Sequence, residues 1–95
     1  MKYNVGDLLL VKHCEYKNRP RPRQQLRGVI LPYFRLYYAA ELFNSYGIVT
    51  KVINHNDVWK ERSTSDDDNV YIWFSQLDGK EYFFCENEVT GEVVE

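Results

Sequence analysis

The chain has 95 residues, enough for one domain and too few for two separate hydrophobic cores. Hydrophobic residues make up 44% and charged residues 27%, as in ordinary globular proteins, and no apolar run approaches the ~18 residues that span a bilayer. The net charge of −2 divides unevenly, with +6 in residues 1–40 and −8 in residues 41–95. These features exclude a transmembrane helix and predict a cytoplasmic chain with no membrane partner.

The first predicted element is a strand at residues 5–12, which opens with the turn pair Gly6-Asp7 and continues as an apolar run. A polar, basic stretch follows at residues 15–28, where two prolines disfavour regular structure. A loop this long in a compact domain is usually functional or flexible. We therefore expect one domain over residues 1–95, with an insertion-like loop at about 15–45.

A short helix is predicted at about residues 35–44. Residues 38–43 contain good helix formers, and the asparagine that follows them can end the helix. Phe34, Tyr38 and Leu42 are spaced four apart, so in a helix they would share one face.

The second half of the chain predicts four strands. Residues 47–53 are β-branched, and residues 70–74 are apolar at every position, which predicts a central strand covered on both faces. Asp78-Gly79 predicts a hairpin with a type I′ turn, in which both central residues have a positive φ. Residues 80–85 return as its partner strand, and residues 89–94 form the last strand.

Five or six short strands with little helix predict a mostly β domain. An open sheet this small leaves its edges exposed, whereas closure into a barrel removes them. We therefore expect a small antiparallel barrel that carries a long basic loop.

The order of these strands resembles that of small SH3-like barrel proteins of tailed phages. The resemblance rests on residues 5–12, 46–49, 70–74 and 86–89, and it does not cover residues 15–45. The run Val-Gly-Asp followed later by Gly-Ile-Val is also typical of KOW-type barrels. The resemblance implies an SH3-like barrel, a phage origin and a location in the host cytoplasm or the virion. It implies no catalytic residue.

The basic loop contains the first set of candidate binding residues, Arg19, Arg21, Arg23 and Arg27. Arginine forks match the geometry of phosphate and carboxylate groups. The loop could therefore bind a protein or a nucleic acid, or it could be a solvated segment whose arginines pair with the acidic half of the chain. The acidic half would repel phosphate, which favours the protein partner.

Four aromatic residues after the loop form the second candidate set: Tyr33, Phe34, Tyr37 and Tyr38. They are either an exposed binding patch or additional core over one end of the barrel, and we expect that some of them contact a partner. In such a composite surface the aromatic rings supply buried area, and the arginines supply orientation and encounter rate. A partner with an acidic rim around an apolar groove would suit both.

No pattern in the chain predicts catalysis or a metal site. His13 and Cys14 are adjacent on a strand, where neighbouring side chains point to opposite faces. The two cysteines and two histidines lack metal-ligand spacing, and Asp66-Asp67-Asp68 lacks the glycine and distant glutamate of a calcium loop. We expect free thiols at Cys14 and Cys85, no cofactor and no enzymatic activity.

These observations predict a non-enzymatic domain that binds a host or virion protein through residues 16–45. The alternative is a small KOW-like barrel that binds nucleic acid through residues 17–27. No feature of the sequence indicates the oligomeric state.

Overall fold

The computed structural model of the chain describes residues 2–15, 33–54 and 69–94. Within these ranges the chain is mostly β, as predicted. The strands are β1 (Leu8–Cys14), β2 (Phe34–Arg35), β3 (Ser45–Ile53), β4 (Val70–Ser75), β5 (Glu81–Cys85) and β6 (Val89–Val94). Two single-turn 3-10 helices, Leu36–Tyr38 and Ala40–Leu42, connect β2 to β3.

The six strands form one sheet in the order β2-β5-β4-β3-β1-β6. All pairs are antiparallel except β2 with β5, which is parallel. The sheet is therefore mixed: it is antiparallel, as predicted, except at this edge. The physical reason is that β2 and β5 are far apart in sequence, so no tight turn between them requires antiparallel pairing. No pairing among the described strands joins β2 to β6, and the sheet is not closed.

Most of the core lies on one face of this sheet. Trp73 on β4 is fully buried, and its indole Nε1 donates a hydrogen bond to the Leu9 carbonyl oxygen at 3.3 Å. The remaining buried members of this core are Tyr3, Leu9, Val11, Cys14, Leu36, Ala39, Leu42, Val49, Tyr71, Tyr82, Phe84 and Val89.

A second, smaller core lies on the opposite face of β4 and β5 and comprises Ile53, Val70, Ile72, Phe83 and Cys85, with Tyr33 packed against it. The prediction that β4 is central and covered on both faces is confirmed for residues 70–73. Phe74, near the end of β4, is the one residue of this strand that is exposed, at 37%.

The short helix predicted at about residues 35–44 is wrong as a continuous helix. Ala39 interrupts it with φ −113° and ψ 57°, and the two turns on either side are 3-10. Leu36, Ala39 and Leu42 are the buried residues, so the burial repeats every three positions, which is the period of a 3-10 helix rather than that of an α-helix. Asn44, with φ 67°, ends the segment in the left-handed conformation that asparagine tolerates.

The hairpin between β4 and β5 is where the sequence predicts it, but its turn is not type I′. The loop has four residues, because the Ser75 amide donates to the Lys80 carbonyl oxygen at 2.9 Å. Gly79 has φ 71°, whereas Asp78 does not have a positive φ. The Asp78 carboxylate instead accepts a hydrogen bond from the Lys80 amide at 2.9 Å, an Asx-type contact that stabilises the longer loop.

Close approach between β3 and β4 requires a glycine at position 47, because a Cβ there would overlap the Trp73 indole and lie 2.6 Å from the Phe74 carbonyl oxygen. Gly47→Ala should therefore lower the free energy of unfolding by about 3 kcal/mol, measured by urea denaturation. Gly79→Ala is the control, since an added Cβ there meets nothing within 4 Å. It should cost only about 1 to 2 kcal/mol, from the positive φ. Equal losses in the two variants would contradict this packing.

Candidate functional site

The four aromatic residues predicted as a binding surface differ in their exposure to solvent. Phe34 and Tyr38 are 71% and 73% exposed, and Tyr37 is 38% exposed. Tyr33 is half-buried and packs against the second core. We call Phe34, Tyr37 and Tyr38 the aromatic patch. Three of the rings thus face solvent and one contributes to the core, whereas contact with a partner stays a prediction.

Local structure explains why these rings point outward. The parallel pairing of Phe34 with Tyr82 places Phe34 on the edge strand, and the two 3-10 turns direct Leu36 and Ala39 inward. Amide-to-carbonyl hydrogen bonds of 2.9 Å join Ala39 to Leu36 and Leu42 to Ala39. Tyr37 and Tyr38 are left on the outside, with their ring centroids 5.1 Å apart in an edge-to-face arrangement.

A buried ion pair lies directly beneath the patch. Arg35 Nη2 donates to Oε2 of Glu88, and their side chains are only 14% and 0% exposed. The second carboxylate oxygen of Glu88 accepts a hydrogen bond from the Cys85 amide at 2.8 Å, and the Arg35 guanidinium lies 5.7 Å from the centre of the Phe83 ring. The pair therefore ties β2 to the turn between β5 and β6.

Two adjoining clefts lie beside the patch, and we call them together the aromatic cleft. They share Phe34 and Lys80. One has a volume of about 430 Å³ and is lined by Tyr33, Phe34, Lys80 and Glu81. The other has a volume of about 220 Å³ and is lined by Phe34, Arg35, Tyr38, Ala39, Glu41, Lys80 and Tyr82.

Charged side chains of both signs line this cleft, and the cations are Lys80 and Arg35. Glu41 and Glu81 line it, and Asp78 accepts a hydrogen bond from the hydroxyl of Tyr82. That hydrogen bond, together with burial and the nearby charge of Glu41, raises the pKa of Tyr82 to about 12. Burial alone would raise the pKa of Asp78, but hydrogen bonds from Tyr82, the Lys80 amide and Ser75 hold it below its usual value.

The two cysteines lie in the core and are free thiols, as predicted. Burial raises the pKa of the Cys14 thiol to about 12, and the neighbouring charge of Glu88 adds to the shift. A thiol in this state stays protonated at neutral pH and is a poor nucleophile. Among the described residues, no group of three or more His, Cys, Asp or Glu side chains is arranged to hold a metal ion.

The sequence reasoning missed an apolar row on the outer face of the sheet. Strand register places Phe74, Ile48, Leu8 and Val94 side by side across four strands. All four are partly or largely exposed, and we call them the outer row. The row becomes visible only when the register between the strands is known, because it takes one residue from each of four strands.

The predicted arginines Arg19, Arg21, Arg23 and Arg27 lie outside the described residues, as do the loop at 17–27 and the Asp66-Asp67-Asp68 run. Of the predicted binding residues, the structure brings together Phe34, Tyr37 and Tyr38, with Tyr33 in the adjoining cleft.

The chain matches no protein-family model, no curated protein and no solved structure. In the part of the chain that the structure describes, no helix is long and apolar enough to cross a membrane.

The contribution of the Arg35–Glu88 ion pair to stability can be measured. Arg35→Ala removes a cation from a carboxylate that is 0% exposed, and it should lower the free energy of unfolding by about 3 kcal/mol. Lys12→Ala is the matched control, because it breaks the Lys12–Glu92 pair, whose side chains are 45% and 65% exposed. Such exposed pairs contribute less than about 1 kcal/mol. Urea denaturation measures both variants, and equal small losses would show that the buried pair does not anchor the patch.

Proposed function

We propose that this chain is a non-enzymatic interaction domain that binds another protein through residues 16–45, with the aromatic patch in the contact surface. The observation that carries the proposal is the exposure of Phe34 and Tyr38, at 71% and 73%, beside Leu36, which is fully buried. The segment thus places its aliphatic side chain in the core and two of its large rings in solvent. Exposed aromatic clusters of this kind mark interaction sites.

The backbone that carries the exposed rings is held in place, which favours tight binding. Aromatic residues supply large contact area with few rotatable bonds, and they dominate the energetics of many protein interfaces. Here the backbone that carries them is held by the Arg35–Glu88 pair and by the buried Leu36. Binding to a partner would therefore cost little additional conformational entropy in this segment.

The charges near the patch favour a protein over a nucleic acid. Glu41 lines the smaller part of the cleft with Tyr38, and Asp78 accepts a hydrogen bond from Tyr82, another residue of that lining. Lys80 also lines it, whereas the Arg35 guanidinium is paired with the buried Glu88. Phosphate groups that approached the rings would be repelled by these carboxylates. Stacking of bases on Phe34 or Tyr38 would still be attractive, so a nucleic-acid complex is one outcome of the binding experiment.

The fold and origin are part of the same proposal. We take the sheet to be an SH3-like barrel with an incomplete seam, encoded by a phage and acting in the host cytoplasm or the virion. Support comes from the Arg35–Glu88 pair, which connects edge strand β2 to the residue before the other edge strand, β6. An experimental structure whose backbone hydrogen bonds close the barrel at this seam would support the assignment, and a flat sheet would contradict it.

The binding test compares a double variant with a matched control. Phe34→Ala/Tyr38→Ala removes both exposed rings and should speed dissociation from a partner captured from bacterial lysate at least tenfold, because losses at interface hot spots appear mainly in the off-rate. Leu77→Ala is the control, since Leu77 is 65% exposed in the β4–β5 loop and its removal should leave the rate unchanged. Biolayer interferometry measures both rates.

Two outcomes would overturn the proposal. Unchanged dissociation of the double variant would place the interface elsewhere, and the outer row is then the first surface to examine. A nucleic-acid complex that weakens steeply with added salt would replace the protein partner with the KOW-like alternative.

A further inference from the structure

Strand β6 (Val89–Val94) lies at one edge of the sheet, and on one side no other described strand pairs with it. We call this side the open edge. Val93 and Val94 are each 40% exposed, although their side chains point to opposite faces of the sheet. Thr90 and Glu92 are exposed as well. In the part of the chain that the structure describes, the end of β6 is therefore accessible from both faces and from the open edge.

The backbone groups of Gly91 and Val93 point toward the open edge. A Cβ on Gly91 would lie 2.4 Å from the Leu10 carbonyl oxygen, so that oxygen is directed to β6. Leu10 is opposite Glu92 in the β1–β6 register, and Glu92 therefore bonds to β1. Alternate residues of a strand bond to opposite neighbours, which leaves the N–H and C=O groups of Gly91 and Val93 for a strand at the open edge.

The composition of β6 does not protect this edge. Natural edge strands commonly carry a lysine, a proline or a bulge, which discourage pairing with another chain. The sequence of β6 has no lysine or proline, and its one charged residue, Glu92, pairs with Lys12 of the neighbouring strand at 2.7 Å. The extra residue of the β1–β6 ladder lies in β1, between Val11 and His13, so it does not interrupt β6.

We propose that β6 pairs with β6 of a second copy of this chain, antiparallel and about a two-fold axis, so that one sheet runs through both copies. Such a contact is self-complementary, because each strand supplies the hydrogen-bonding groups that the other lacks. With the axis at Val93, this residue is opposite itself, and Glu92 is opposite Val94 rather than another carboxylate. The inference goes beyond the proposed function, since it does not use the aromatic patch.

Charge and apolar surface both favour a second copy as the occupant of the open edge. The net charge of the chain is only −2, and Lys12 balances Glu92 within each copy, so two copies repel each other little. Val94 ends the outer row at this edge, and the pairing therefore covers part of that apolar surface. A strand of six residues is only about 20 Å long, so the contact is smaller than the roughly 800 Å² per partner of stable interfaces, and we expect a reversible dimer.

Sedimentation equilibrium of the intact chain over a wide range of concentrations tests the inference. The average mass should rise from 11.4 kDa toward twice this value as the concentration increases. Val93→Lys places like charges opposite each other across the axis and should weaken dimerisation at least about tenfold. Leu77→Lys is the matched control, because it puts the same charge on a residue that is 65% exposed in the β4–β5 loop, and it should leave dimerisation unchanged. Urea denaturation checks that both variants fold.

Hydrogen exchange in the original chain provides a measurement that needs no variant. The amides of Gly91 and Val93 should exchange roughly tenfold more slowly at high protein concentration than at low concentration, because the second copy accepts their hydrogen bonds. The amides of Glu92 and Val94, which are directed to β1, should change less. Equal changes at all four amides would contradict strand pairing at the open edge.

Three further results would overturn the inference. The first is a constant mass of 11.4 kDa at every concentration. The second is a dimer that Val93→Lys and Leu77→Lys leave equally stable. The third is loss of the dimer in Phe34→Ala/Tyr38→Ala, which would show that the copies associate through the aromatic patch. A chain that stays monomeric can still bind a partner through the patch, so failure of this inference is distinguishable from failure of the proposed function.

Discussion

The buried ion pair between Arg35 and Glu88 is the constraint on which the candidate site depends. A carboxylate that is 0% exposed is costly unless a cation and hydrogen bonds compensate it, and here Arg35 and the Cys85 amide do so. The ion pair holds Arg35 at the point where the chain enters the first 3-10 turn. Phe34 precedes it and points to solvent, whereas Leu36 follows it and enters the core.

The remainder of the segment is held by its own buried residues. After Arg35 the chain makes two 3-10 turns, and burial at every third position holds Leu36, Ala39 and Leu42 against the sheet. The rings left outside are mounted on a backbone with core contacts rather than on a free loop. A binding surface gains affinity from such preorganisation, because less conformational freedom remains to be lost when the partner arrives.

Local patterns in the sequence predicted every strand except β2, and the hairpin position, because apolar and β-branched runs and the Asp78-Gly79 pair depend on nearby residues. The errors arose at positions whose structure depends on residues that are distant in the sequence. The parallel pairing of Phe34 with Tyr82 and the tie from Arg35 to Glu88 join positions about fifty apart. Likewise, the spacing of Phe34, Tyr38 and Leu42 suggested one helical face. In the structure Leu42 is buried in the core, whereas the rings of Phe34 and Tyr38 are exposed. The two clefts needed the same long-range contacts, since Phe34 and Lys80 line both of them only in the folded chain.

Hydrogen exchange in the Glu88→Gln variant tests most directly whether the ion pair holds the segment that presents the rings. Glutamine keeps the shape of the side chain and removes its charge. The amides of Ala39, Leu42 and Phe43, which are hydrogen-bonded within the two turns, should exchange at least tenfold faster, a loss of about 1.4 kcal/mol in local stability. Amides of the central strand β4 should change less. Equal changes in both places, or none in the turns, would contradict the account.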